Sequence, residues 1–107
     1  MTDGTDPARR VTTVIEPMVS CRAVDAGWHC TVTIGADERA TTHEVHVDRE
    51  VLEDMAPGAT PEELVRVSFE FLLEREPRES IMREFELPII GRFFGDYRDE
   101  MLRRLAL

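Results

Sequence analysis

The sequence predicts an α+β domain, a three-stranded antiparallel meander followed by a bundle of C-terminal helices packed on one of its faces. Three observations lead there. Trp28 to Ile34 and Thr41 to Val47 alternate side-chain character with the period of a strand. Thr60 to Pro77 carries both the start and the stop signals of a helix. Beyond it only helical spacing is read, with Ile90, Phe93, Phe94, Tyr97, Met101 and Leu105 recurring three or four apart.

In chain order, residues 1–8 are rich in Thr, Asp, Gly and Pro and read as a flexible N-terminus, leaving 9–107 as one domain. Residues 10–22 are rich in Val, Ile and Thr and read as the first strand, with Pro17 marking an edge or a bulge. Asp25-Ala26-Gly27 signals a turn. In the second strand Trp28, Cys30, Val32 and Ile34 share one face, while His29, Thr31 and Thr33 share the other. Gly35 to Ala40 is a hairpin connection to the third strand. Keeping the apolar faces together pairs Ile34 with Thr41, because a one-residue slip turns one strand inside out. Val32 then faces His43, Cys30 faces Val45, Trp28 faces Val47, and His29 faces His46 on the outer side.

Asp48 is placed to cap a short helix over 49–55, which Pro57-Gly58 stops. The main helix follows at 61–75. Thr60 is its N-cap, Pro61 fits the first helical position, and Glu63 completes a capping box. Leu64, Val65, Val67, Phe69, Phe71, Leu72 and Leu73 cover roughly two-thirds of its circumference, against about 100° on an ordinary surface helix. Such a helix needs cover on more than one side. Pro77 ends it. A third helical piece is expected near 78–86, Pro88 breaks it and opens another at Ile89, and Gly95-Asp96 leads into a last helix at 97–106.

Composition narrows the partners. The 107 residues hold 13 basic and 22 acidic side chains, a net charge of −9. An acidic chain is a poor default ligand for phosphate backbones and avoids an anionic membrane surface, so neither nucleic acid nor membrane is expected. Every basic residue is Arg, with no Lys, Asn or Gln, which fits a GC-rich coding sequence or a salt-adapted protein. No secretory h-region and no apolar run of about eighteen residues occur, which points to the cytoplasm. Both cysteines, Cys21 and Cys30, are expected as reduced thiols there, although a bridge is geometrically open if their strands pair. The scattered glycines form neither a P-loop nor a dinucleotide fingerprint, so no cofactor is expected.

The sharpest chemical constellation is on the outer sheet face. His29 and His46 are cross-strand neighbours there with Glu44 on the diagonal, a candidate set for a transition metal. His43 falls on the apolar face, where a hydrogen-bonded, partly buried imidazole is expected. Carboxylate pairs such as Glu62/Glu63 and Asp99/Glu100 lie on exposed helix faces rather than across a pocket, and no nucleophile motif accompanies Ser20, Ser68 or Ser80. No catalytic residue is assigned. In the tail, Arg83, Arg92, Arg98, Arg103 and Arg104 interleave with Phe93, Phe94 and Tyr97, but Glu84, Glu86, Asp96, Asp99 and Glu100 neutralise them.

The run Ser68-Phe-Glu-Phe-Leu-Leu-Glu-Arg-Glu-Pro77, then Ser80-Ile81 and Phe93-Phe94-Gly95-Asp96-Tyr97, resembles a group of small bacterial proteins of no assigned activity. Thr42-His43-Glu44-Val45 is similar too, and the resemblance covers roughly residues 28–98. It implies a bacterial, stand-alone domain and transfers no catalytic residue. In element order alone, the strands and following helix resemble HicB-type antitoxins.

The function expected is a non-enzymatic protein-interaction or regulatory module, a homodimer with Phe93, Phe94 and Tyr97 at its interface. The over-apolar helix, the aromatic pair and the open sheet edges motivate it. An antitoxin-like regulator binding a partner protein or DNA is the first alternative. A His- or metal-dependent enzyme on the outer sheet face is the second.

Overall fold

The computed structural model describes residues 16–106. The expectations for residues 1–8 and for the 10–15 part of the first strand lie outside that range. Strand β1 is Met18–Val24, β2 is Gly27–Ile34 and β3 is Thr41–Asp48. They pair antiparallel in sequence order, and the register is the one the apolar faces demand. Ile34 meets Thr41, Cys30 meets Val45 and His29 meets His46.

Two glycines hold the hairpins in shape. Gly27 pairs with both Val24 and Asp48, and a Cβ there would collide with the Val47 carbonyl oxygen. Gly35 opens the second turn with φ 95°, a left-handed conformation that side chains resist.

Helix α1, Arg49–Met55, and helix α2, Pro61–Leu73, follow. The capping box of α2 is complete: the Glu63 amide donates to Thr60 Oγ1 at 3.1 Å, and the Thr60 amide donates to Glu63 Oε1 at 2.9 Å. Such a cap is worth about 1 kcal/mol. Asp48 stands at the α1 N-cap but makes no side-chain cap bond.

The segment expected to be helical over 78–86 is not. It is a 3₁₀ turn at Arg78–Ser80 followed by a strand, β4, at Glu84–Glu86. β4 lies beside β3 in parallel, so the sheet has four strands in the order β1-β2-β3-β4 and is mixed rather than purely antiparallel. The physical reason is local alternation answered by a distant partner. Phe85 and Leu87 are buried, while Glu84 and Glu86, which alternate with them, are exposed. Phe85 pairs with Val45 in the ladder and its ring lies 6.0 Å from that of Phe69. A 3₁₀ turn at Leu87–Ile89 leads into the short helix α3, Ile90–Phe93, and α4 spans Tyr97–Arg104.

All the helices lie on the inner face of the sheet, and one apolar cluster joins them to it. Val32, Ile34, Val45, Leu64, Val65, Phe69 and Phe71 are fully buried in it. The second side of α2 is covered by the chain's own tail. Ser68 and Tyr97 share a hydrogen bond of 2.7 Å between their hydroxyls, and the Ser68 hydroxyl also reaches Met101 Sδ at 3.5 Å. The Phe71 ring meets Tyr97 at 5.5 Å and Phe94 at 5.9 Å.

The cysteines depart from the reduced state expected of them. Cys21 and Cys30 are directly opposed in the β1–β2 ladder, with Cα atoms 4.0 Å apart, and form a disulfide. Opposed residues come closest where the ladder makes no hydrogen bond, which brings the two sulfurs within bonding reach. Among the described residues no helix is long and apolar enough to cross a membrane.

Candidate functional site

Strand pairing assembles the outer sheet face from residues far apart in sequence. β2 supplies His29 and Thr31, β3 supplies Glu44 and His46, and β4 adds Glu84 and Glu86. The His29 and His46 rings meet edge to face at 4.6 Å. His29 Nε2 lies 2.6 Å from Glu44 Oε1, and the Thr31 hydroxyl donates to the same oxygen at 2.9 Å. These hydrogen bonds, from His29 first and Thr31 second, hold the Glu44 carboxyl below the usual carboxylate range. His46 Nε2 lies 2.9 Å from Glu84 Oε2.

The three metal candidates therefore share a face, but each imidazole turns Nε2 to a carboxylate rather than toward a common centre. Among the described residues no group of three or more His, Cys, Asp or Glu is arranged to hold a metal ion. What this face offers is two parallel imidazole–carboxylate pairs.

His43 has a different part. It is 1% exposed, and its ring ties β3 to the segment just before β4. The Met82 carbonyl lies 2.7 Å from Nδ1 and can only accept, so Nδ1 carries the proton. In the neutral ring Nε2 then accepts from the Thr41 hydroxyl at 2.9 Å. The imidazole pins the chain just before β4, and its ring meets Phe69 at 5.4 Å.

The tail residues separate. Tyr97 is 2% exposed, and burial pushes its phenol pKa well above the ordinary value. It presents no surface to a partner. Phe94 is half-buried beneath Arg75, whose guanidinium lies 5.7 Å from its ring centre and 3.6 Å from that of Phe71. Phe93 alone projects into solvent, at 66% exposure. Close by are Met82, at 41% exposure, and the partly buried Ile89. An apolar groove of about 140 Å³ runs between them, with Leu72 and Ile90 in its wall and Glu76 as its charged lining residue.

The basic residues of α4 are committed to neighbours. Arg98 makes a two-pronged pair with Asp54, both contacts 2.9 Å. Arg104 reaches Glu74 at 2.9 and 3.0 Å and Glu100 at 3.0 Å. Arg103 and Arg104 together hold the Glu100 carboxyl at a pKa of about 2.

Met82, Ile89 and the edge of β4 were missed in the sequence reading. For β4 the signal is the alternation Glu84-Phe85-Glu86-Leu87, which has the period of a strand. No family model, curated protein or solved structure matches this chain.

Proposed function

We propose that this chain is a non-enzymatic protein-interaction module that forms a homodimer through the face around Phe93. The observation that carries the reading is the exposure of Phe93 beside Met82 on the rim of an apolar groove. Aromatic and Met side chains are enriched, and charges depleted, at the centre of protein interfaces. One patch serves both subunits when two copies meet about a two-fold axis, so a single exposed aromatic corner suffices. The broad apolar arc of α2 gives no support, because Tyr97 and Met101 cover it from within the chain.

Sedimentation velocity at micromolar concentration tests the reading. A dimer is expected for the parent, and Phe93→Asp should shift it toward monomer while circular dichroism stays unchanged. A parent that is monomeric throughout this range overturns the homodimer. A dimer insensitive to Phe93→Asp places the interface elsewhere.

A further inference from the structure

The sheet ends in β4, and its pairing leaves one edge open among the described residues. The Glu44 amide donates to the Arg83 carbonyl at 2.7 Å, and Val45 stands opposite Phe85. In a parallel ladder with that register, the amide and carbonyl of Phe85 turn to β3. The amide and carbonyl of Glu84, and the amide of Glu86, then point away from the sheet.

An open groove of about 440 Å³ runs along this edge. Its two walls differ in chemistry. Met82, Phe85, Pro88 and Ile89 make the wall on the helical side apolar, while Glu84 and Glu86 stand on the sheet's outer side. Glu84 is paired with His46, and Glu86 has no ion-pair partner among the described residues. Arg92 lies on the helical side and disfavours a second cation there.

We propose that this edge accepts an extended segment of a partner protein as a fifth strand, one whose side chains alternate basic and apolar. Period-2 alternation would set the basic side chains beside Glu84 and Glu86 and the apolar ones over Met82, Phe85 and Ile89. A second copy's β4 is the wrong occupant. Antiparallel pairing about Phe85 would oppose Glu84 to the partner's Glu86, and like charges directly opposite destabilise a ladder. The proposal goes beyond the homodimer: the two surfaces share Met82, Phe85 and Ile89, but Glu84 and Glu86 line only the strand-edge groove and Phe93 only the other.

The probe is a capped, fluorescently labelled seven-residue peptide alternating Arg and Val, read by anisotropy. Comparators are the same residues in two blocks and an alternating Glu and Val peptide. The alternating Arg peptide should bind about tenfold more tightly than the block peptide, and Glu84→Arg/Glu86→Arg should weaken it by about tenfold or more. N-methylating every second amide of the peptide should abolish binding for one of the two possible sets. Phe93→Asp should not weaken peptide binding, whereas Glu84→Arg/Glu86→Arg should, which separates this site from the dimer face. Equal binding of the block peptide, tolerance of both methylated sets, or no binding by the alternating peptide overturns the proposal.

Discussion

In β1–β3 each strand borders its neighbour in sequence, whereas β4 reaches the sheet only after two helices have intervened. The first region settles its register through short connections and matching apolar faces. Along β2 and β3 the inward side chains Cys30, Val32, Ile34, Val45 and Val47 are all buried, with Val19, Cys21 and Trp28 half-buried beside them. The second region is held by distant contacts, His43 to Met82 and Phe69 to Phe85. Its apolar side chains are divided between interior and surface. Phe85, Leu87 and Ile90 are buried, but Met82 and Phe93, from the same stretch, are not. In the meander the exposed large apolar side chains, Met18 and Val24, stand at the two ends of β1, whereas at the β4–α3 corner the apolar interior continues onto the outside. Both proposed docking surfaces lie at that corner.

Comparing two phenylalanines tests this division most severely. Phe69→Ala empties a fully buried site between His43 and Phe85 and should cost about 3–5 kcal/mol. Phe93→Ala removes an exposed ring and should change monomer stability by no more than about 0.5 kcal/mol. Urea unfolding of the two variants reads both numbers, at a concentration where the protein is monomeric. A Phe93→Ala midpoint as low as that of Phe69→Ala would make the corner part of the core.

A smaller effect is expected where the tail meets α2. Ser68→Ala leaves the buried Tyr97 hydroxyl without its protein partner, which should cost about 1–3 kcal/mol. Adding Tyr97→Phe should recover part of that loss, since the orphaned hydroxyl is then gone. A strictly additive double variant would mean that the two hydroxyls do not act together.

The smallest effect is electrostatic. Glu100 titrates at about 2 in the folded chain, below its ordinary value of 4.5, because Arg103 and Arg104 hydrogen-bond its ionised form. A folded pKa below the unfolded one contributes stability above pH 4.5 that is lost as pH falls through about 2. Carboxyl-carbon NMR should place the Glu100 midpoint in that low range, and Arg103→Ala/Arg104→Ala should move it back toward 4.5. A parent midpoint at the ordinary value would show that these pairs do not persist in solution.

The same contrast explains how much of the molecule was legible from residues alone. The β2–β3 register followed from alternation, because only one pairing buries both apolar faces. The capping box of α2 followed from Thr60 and Glu63, since its chemistry is confined to four consecutive residues. β4 did not follow. The alternation of Glu84 to Leu87 is too short to outweigh a helical reading on its own, and the strand's partner lies about forty positions back. Ion pairs divided along the same line. Arg66–Glu70 forms within one helix at 2.9 Å as i,i+4 spacing suggests. Glu74 takes Arg104, thirty residues away, a partner that no local spacing announces. At the candidate sites the His29–His46 adjacency was legible, but the carboxylate that each imidazole would choose was not. The aromatic tail could be placed on an apolar seam, but which ring faced inward required the fold.

The hydrogen bond between Ser68 and Tyr97 spans 29 residues, which has a consequence during synthesis. The ribosome releases α2 before the side chains that cover its second side. At about 5–20 residues per second, that interval is roughly 1.5–6 s. Through it Phe71 and its neighbours on that side of α2 lack the tail that later shields them, while the hairpin that backs the other side is already outside the tunnel. The nascent chain therefore passes through an interval when its most apolar helix is half dressed, and the exposure lasts until the tail arrives.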